Sequence, residues 1–493
     1  MLSDLRKPAA DVGTEDLMAA LNDDADEETA EPEVAEKETV EAKNEPVARL
    51  QSSDVNPAVR VPETPHQKPA PPDTVIPKVK QPKTTAEPKN SPATEQKTNQ
   101  ASKKTTTESK VQKVTTDYLS NTNIEDFTMG RTGLRRFFAA LNNIANLRRP
   151  VRIAFLGDSF IEGDIMVADF RQKMQAHFGG RGVGFIPITS NVAQYRPTIK
   201  QSAEGWRTYS IIKDKSHKYV LSGLLFEPDA SVASVDFQTV DMYTRLQEVS
   251  SLKFIYAAND KTDITVKSGA EEEIYELPPS DAVTQFELKG TFTKGTLMFK
   301  RPQGLKAIGL ALEDNRGIIV DNFSLRGNSG IVMSELDAGS CRELQQVRPY
   351  DLIVLQYGLN VASESVQDYG WYRKRMLEVI DHIQYCFPGA DIMVLGVSDR
   401  SYKNGNAYST MPAVLSLLKA QRQTAKEAEV TFWSIFAAMG GQNSMVKYVK
   451  SNWASKDYTH LSFRGGREVA DAFYDALLTE KGMYDGEERL VER

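Results

Sequence analysis

Cysteine is nearly absent: Cys341 and Cys386 are the only two in 493 residues, their spacing fits no metal motif, and nothing in it says whether they approach bridging distance. They read as two separate buried thiols. Long apolar runs are missing too, since no stretch approaches the ~20 residues of a spanning helix, and no membrane span is expected. Near the start, Leu17-Met18-Ala19-Ala20-Leu21 is far shorter than the apolar core of a secretory signal, so either the protein is not exported or its true start lies upstream. A basic excess is lacking as well. With 60 Lys and Arg against 67 Asp and Glu the net charge is -7, which argues against nucleic acid or an anionic membrane surface as the main partner. No internal repeat occurs at solenoid or propeller periods.

The first 115 or so residues lack Trp, Tyr, Phe and Cys altogether, yet hold 13 of the 23 prolines. Such a segment buries too little apolar surface to offset its chain entropy. Its first half is acidic (Asp23, Asp24, Asp26, Glu27, Glu28) and its second is rich in Lys, Thr and Pro, as in Lys103-Lys104-Thr105. Residues 1–117 are expected to form a disordered, low-complexity tether.

From about residue 118 the pattern turns globular. Apolar residues at helical spacing mark Thr132 to Leu147, Ile165 to Phe178, Tyr372 to Phe387, Pro412 to Ala428 and Gly465 to Leu478. Between them, continuous apolar runs suited to parallel strands buried on both faces lie at Val151–Leu156, Gly317–Phe323, Asp351–Tyr357, Asp391–Val397 and Val430–Ile435. Alternation of this kind implies an α/β fold, a parallel sheet with helices on both faces. The middle breaks the rhythm with seven short β-type runs: Lys218–Phe226, Ser234–Val240, Ser251–Ala257, Asp263–Val266, Thr284–Leu288, Gly295–Phe299 and Ala307–Leu312. An all-β sandwich or jelly-roll-like domain inserted at 205–316 is expected, dividing the α/β domain into 118–204 and 317–480, with a C-terminal tail at 481–493. The run Gly179-Gly180-Arg181-Gly182-Val183-Gly184 follows a helix rather than a strand, which excludes a phosphate loop. Arg148, Arg149 and Arg152 read as a solvated approach to the first strand.

Chemistry concentrates at strand ends. Gly157-Asp158-Ser159 closes the first strand, and Asp457-Tyr458-Thr459-His460 follows about three hundred residues later. A serine hydroxyl needs an imidazole to take its proton and a carboxylate to fix the imidazole tautomer, and these segments supply all three. A carbonyl under attack also needs donors around its developing charge. Ser159 offers its backbone N–H, read as lying at a helix start. Gly327, in Leu325-Arg326-Gly327-Asn328-Ser329-Gly330, offers a bare N–H, and Asn360, in Tyr357-Gly358-Leu359-Asn360, a side-chain amide. Taken singly each residue has a plainer reading: Asp457 as a turn cap, His460 as a core histidine, Gly327 and Asn360 as loop closers. Their order at successive strand ends favours the joint one.

In that order Gly157-Asp158-Ser159, Gly327, Gly358-x-Asn360 and Asp457-x-x-His460 resemble the four blocks of the SGNH, or GDSL, hydrolases. Within that superfamily the chain is similar to peptidoglycan O-acetylesterases carrying a carbohydrate-binding-like β-domain between the first two blocks. The similarity extends to Phe178–Pro187 and to Phe432-Trp433-Ser434, Ala438–Gly441, Trp453-Ala454 and Lys456–Ser462, covering about residues 150–480. The resemblance implies a flavodoxin-like SGNH fold, with Ser159 as nucleophile, His460 as general base then acid, and Asp457 as its orienting carboxylate. It further implies an oxyanion hole of the Ser159 and Gly327 N–H groups and the Asn360 amide, with no metal or organic cofactor. The implied substrate is an O-acetylated polysaccharide, peptidoglycan foremost, and hence a site of action in the periplasm or cell envelope. Phe160 stands where many relatives have Leu or His, and Val361 replaces the Asp that often follows the third-block Asn. An acetyltransferase, an acetylxylan-type esterase and a non-catalytic wall-binding protein stay open on the same residues, as does the oligomeric state.

Overall fold

Five apolar segments form a parallel sheet because each is shut off from solvent on both faces: β1 Val151–Gly157, β2 Ile318–Ser324, β3 Leu352–Gln356, β4 Asp391–Gly396 and β5 Thr431–Ser434. The computed structural model describes residues 117–491, so the tether reading lies outside the described residues but for Asp117. Across the sheet the order is β5-β4-β3-β1-β2, with the short strand Glu125–Asp126 added antiparallel to β5. Counted in chain order this is 2-1-3-4-5, the flavodoxin-like arrangement. Helices Ala338–Val347, Gly370–Cys386 and Pro412–Glu427 make the crossovers from β2 to β5. Helices Arg135–Asn142, Val167–Phe178 and Phe463–Val491 pack together elsewhere on the sheet. There Phe155 of β1, Phe170 and Phe473 pack edge-on or tilted with ring centroids 4.9 to 6.0 Å apart.

Between β1 and β2 the chain builds two antiparallel sheets. One runs Glu271–Leu277, Thr262–Ser268, Lys294–Lys300, Val232–Gln238, Lys200–Glu204; the other runs Ser280–Phe292, Val249–Ala258, Leu305–Glu313, Leu224–Pro228, Trp206–Ser210, with Gly184–Ile186 also pairing Leu305–Glu313. Their facing side chains, among them Phe226, Phe237, Phe254, Leu297 and Phe299, make a second core. The join to the α/β part combines apolar packing, as of Phe185 on Phe323, with an ionic network. Glu313, fully buried at the end of its strand, pairs with Arg152 of β1, Lys253 and Arg348, each at 2.7 Å, and Arg348 also pairs with Asp321 of β2 at 2.7 Å. Burial favours the neutral acid, but the three cations outweigh it and hold the Glu313 carboxyl well below the usual range.

Several expectations need correcting. Arg152 is not solvated but buried in this network, and Arg149 is paired with Asp351. The run Lys218–Phe226 becomes a strand only from Leu224, because Tyr219, Val220 and Leu221 are buried in the α/β core instead. Strands Lys200–Glu204, Trp206–Ser210 and Glu271–Leu277 were not expected from the pattern; the last is a sheet edge whose Glu271-Glu272-Glu273 masks its alternation. The expectation of two separate buried thiols holds, since Cys341 and Cys386 are buried and unbridged. The C-terminal helix continues to Val491, through residues set aside as a tail, held by Arg131 on Glu480 and Phe138 on Tyr484. The glycine-rich run serves close backbone approach: Gly182 has φ +103, and a Cβ there would lie 2.2 Å from the Leu312 carbonyl.

Candidate active site

Gly157, Ser324 and Gln356 are register partners on β1, β2 and β3, so the loops that follow these strands leave the sheet side by side at its carboxyl edge. The chain runs outward to β2 on one side of β1 and to β3 on the other. This reversal of direction leaves a crevice at the strand ends, and Ser159 sits in it.

Gly157 has no positive φ; it is required for room. A Cβ would come within 2.6 Å of Ile161 and 2.8 Å of Gln356, so the turn works by omission of a side chain rather than by unusual backbone. Beyond it, the expectation that Ser159 begins a helix fails. Gly163, Asp164 and Met166 all take positive φ, and the α-helix starts only at Val167, too far for its dipole to act on Ser159. Asp164 anchors this irregular loop. Fully buried, its carboxylate accepts from Arg171, Arg196, Thr198 and Asn322, and Asn322 also donates to the Ile161 carbonyl at 2.8 Å. Burial would raise this acid, but the two arginines override it and keep it ionised.

The second half of the site comes from the loop between helices Ser444–Lys450 and Phe463–Val491. It is closed by an Ala454–Leu461 bridge and by Ser462 N–H on the Trp453 carbonyl at 2.9 Å. Within it Asp457 does two things at once. Oδ1 accepts the N–H groups of Thr459 (2.8 Å) and His460 (3.1 Å) and the Ser455 hydroxyl, while Oδ2 receives His460 Nδ1 at 2.7 Å. The turn-capping and the chemical readings are therefore both met, one by each oxygen. Burial pushes the Asp457 acid up, but the His460 hydrogen bond and charge, with Ser455 and the backbone, hold it well below its ordinary value. An ionised carboxylate only accepts, so Nδ1 carries the proton and Nε2 presents its lone pair. Nε2 lies 3.0 Å from Ser159 Oγ.

Asn360 is exposed beside these groups, its amide donating to Asp158 Oδ2 at 3.0 Å and to the Asn328 carbonyl at 3.1 Å. Gly327 occupies the exposed turn just before Asn328, with φ +74. The residues expected from sequence thus fall on three neighbouring loops and the helix-joining loop. Asp158, 1% exposed, was missed as a part of the site: Oδ1 accepts the Phe160 N–H at 2.9 Å and Oδ2 holds Asn360. Burial pushes its carboxyl up to about 6, against the bond from the Phe160 N–H and the His460 charge. Ser455 was missed too. Tyr458 was passed over although it takes φ +58, a left-handed conformation that costs a bulky residue about 1–3 kcal/mol and that gathers at functional sites.

Fold and loop geometry together define a class: a flavodoxin-like α/β domain whose serine, histidine and aspartate are joined by hydrogen bonds at the carboxyl edge of the sheet. The chain matches no protein-family model and no curated protein. Among solved structures it shares the fold of one titled "Peptidoglycan O-acetylesterase in action", with a TM-score of 0.60, 20% identity, and coverage of 73% of this chain and 99% of that one. A family two carbohydrate esterase from Cellvibrio japonicus (TM-score 0.25, 11% identity, 58% and 98% coverage) and a salicylyl-acyltransferase from a tetracycline biosynthetic pathway (TM-score 0.29, 12% identity, 60% and 96% coverage) also align, but carry no argument at those scores.

Proposed function

We propose that the protein is a serine esterase that removes O-acetyl groups from a cell-wall polysaccharide, with peptidoglycan as substrate, and that it works outside the cytoplasmic membrane. The carrying observation is the unbroken chain Ser159 Oγ, His460 Nε2, His460 Nδ1, Asp457 Oδ2, with contacts of 3.0 and 2.7 Å. Supporting it are the shared fold with a peptidoglycan O-acetylesterase structure and the two-sheet insertion, read as a carbohydrate-holding domain.

In this reading Ser159 Oγ attacks the acetyl carbonyl carbon as its proton passes to His460 Nε2. The imidazolium is steadied by Asp457. Negative charge gathers on the carbonyl oxygen, facing the N–H groups of Ser159 and Gly327 and the Asn360 amide. Asn360 already gives its protons to Asp158 and Asn328, so its part requires one of those bonds to be shared with the substrate oxygen. The bond from acetyl carbon to sugar oxygen then breaks, His460 returns the proton to that oxygen, and acetyl-Ser159 is left. Water attacks it as its proton passes to His460, the bond from acetyl carbon to Ser159 Oγ breaks, His460 returns the proton to Oγ, and acetate departs.

Acetate release from O-acetylated peptidoglycan by the purified protein tests this, with Ser159→Ala as control and acetylated xylan as rival substrate. Release from peptidoglycan that Ser159→Ala abolishes supports the reading; release from xylan alone overturns the substrate, and release undiminished by Ser159→Ala overturns the mechanism.

A further inference from the structure

A small hairpin joins the two halves of the site, and the chemistry so far has no use for it. Strands Ser401–Asn404 and Ala407–Thr410 pair antiparallel about a Gly405-Asn406 turn, with Gly405 at φ +61. On one side Ser401 N–H donates to the Tyr458 carbonyl at 3.0 Å, which ties the hairpin to the loop between Asp457 and His460. On the other, the Arg400 guanidinium reaches the carbonyls of Leu359 and Ala362, each at 3.4 Å, on either side of Asn360. The hairpin therefore borders the loops that carry His460 and Asn360.

Its most conspicuous side chain is Tyr408, which lies parallel on Tyr458 with ring centroids 3.7 Å apart and planes at 6°, yet stays 40% exposed. Two features set this pair apart from a surface packing contact. Tyr458 holds a backbone conformation that glycine or asparagine would adopt more cheaply, so the segment tolerates strain to keep a ring at this position. And the ring stacked on it stays 40% open to solvent while its partner Tyr458 lies in sequence between Asp457 and His460, so a flat aromatic face is presented beside the loop that carries the triad's base.

We propose that Tyr408, backed by Tyr458, is a stacking platform for a pyranose ring of the acetylated polysaccharide, one that neighbours the ring bearing the ester. A pyranose presents a face of C–H groups to an aromatic ring, and its hydroxyls stay free at the edge, where the tyrosine hydroxyl also lies. A polymer has rings on either side of the one being deacetylated; a small ester has none. The platform thus distinguishes polymer from small ester without touching the reacting atoms. This inference rests on the esterase reading.

The test compares O-acetylated peptidoglycan with a chromogenic aryl acetate in the full chain, for Tyr408→Ala, Tyr408→Leu and Tyr408→Phe. Loss of the ring is expected to raise KM for the polymer about five- to tenfold while leaving kcat/KM for the aryl acetate within about twofold, and Tyr408→Phe to keep both. An unchanged polymer KM overturns the proposal. So does an equal fall in kcat on both substrates, which marks Tyr408 as a prop for the Asp457–His460 loop. Should wild type release no acetate from the polymer, the esterase reading fails on its own, and the binding isotherm on insoluble peptidoglycan decides about Tyr408: an isotherm weakened in Tyr408→Ala and Tyr408→Leu sustains the platform, and one unchanged from wild type overturns it. Tyr408→Leu keeps an apolar side chain under the loop, so a fold defect confined to Tyr408→Ala does not blur the result.

Discussion

Asp457 shows how a single side chain carries both loop geometry and chemistry. One oxygen caps the turn and the other orients His460, so Asp457→Asn, with an amide at one of those positions, disturbs the tautomer before it disturbs the fold. A loss of about 10^3- to 10^4-fold in kcat is expected, with little change in melting temperature. Asp158 makes a different prediction. Its folded carboxyl titrates at about 6 against an ordinary 3.8, so the folded state binds the proton more tightly and this residue's contribution to stability declines as pH rises from about 4 to about 6, by up to about 3 kcal/mol. Denaturant melts of wild type and Asp158→Asn across that range test it: the variant should gain on wild type as pH rises, and a constant difference contradicts the assignment. Residue types and order made Ser159, Asp457 and His460 legible in the sequence. Asp158 was not legible as a site residue, because its part comes from burial and from a partner 202 positions away.

At the scale of elements the parallel strands were readable because burial on both faces leaves a continuous apolar run, as in Ile392-Met393-Val394-Leu395. Elements whose stability comes from context were not. The hairpin Ser401–Thr410 is mostly polar, and the strand Glu271–Leu277 exposes most of its side chains. The loop after Ser159 looked helical because Ile165, Met166 and Phe170 keep the spacing, whereas the ionic grip on Asp164 holds it irregular. The glycine-rich run makes the sharpest element-scale prediction. Gly182→Ala adds a Cβ both at a left-handed φ and 2.2 Å from the Leu312 carbonyl, and should destabilise by at least about 2 kcal/mol, read as a lowered denaturation midpoint.

Across the whole molecule, the inserted sheets and the α/β domain share an ionic network beside their apolar packing, and one member of it, Arg152, reads from sequence as solvated. An arginine on a central strand looks like an interruption until its partner is known, and the partner of Arg152 is Glu313, 161 residues away. Glu313→Ala leaves Arg152, Lys253 and Arg348 short of a counter-charge and is expected to cost about 3–5 kcal/mol in chemical denaturation. The depressed Glu313 carboxyl also has a pH signature: its contribution is complete above the ordinary carboxylate range and is lost as pH falls below it.

The central claim is that Ser159 is an acyl-accepting nucleophile, and mass spectrometry of the protein quenched during turnover of an acetyl ester tests it most directly. The account predicts an acetyl group on the peptide containing Ser159, accumulating when His460→Ala slows its hydrolysis after acylation by an activated ester, and absent in Ser159→Ala. Acetate release with no such adduct, or an adduct on another residue that survives Ser159→Ala, would contradict it.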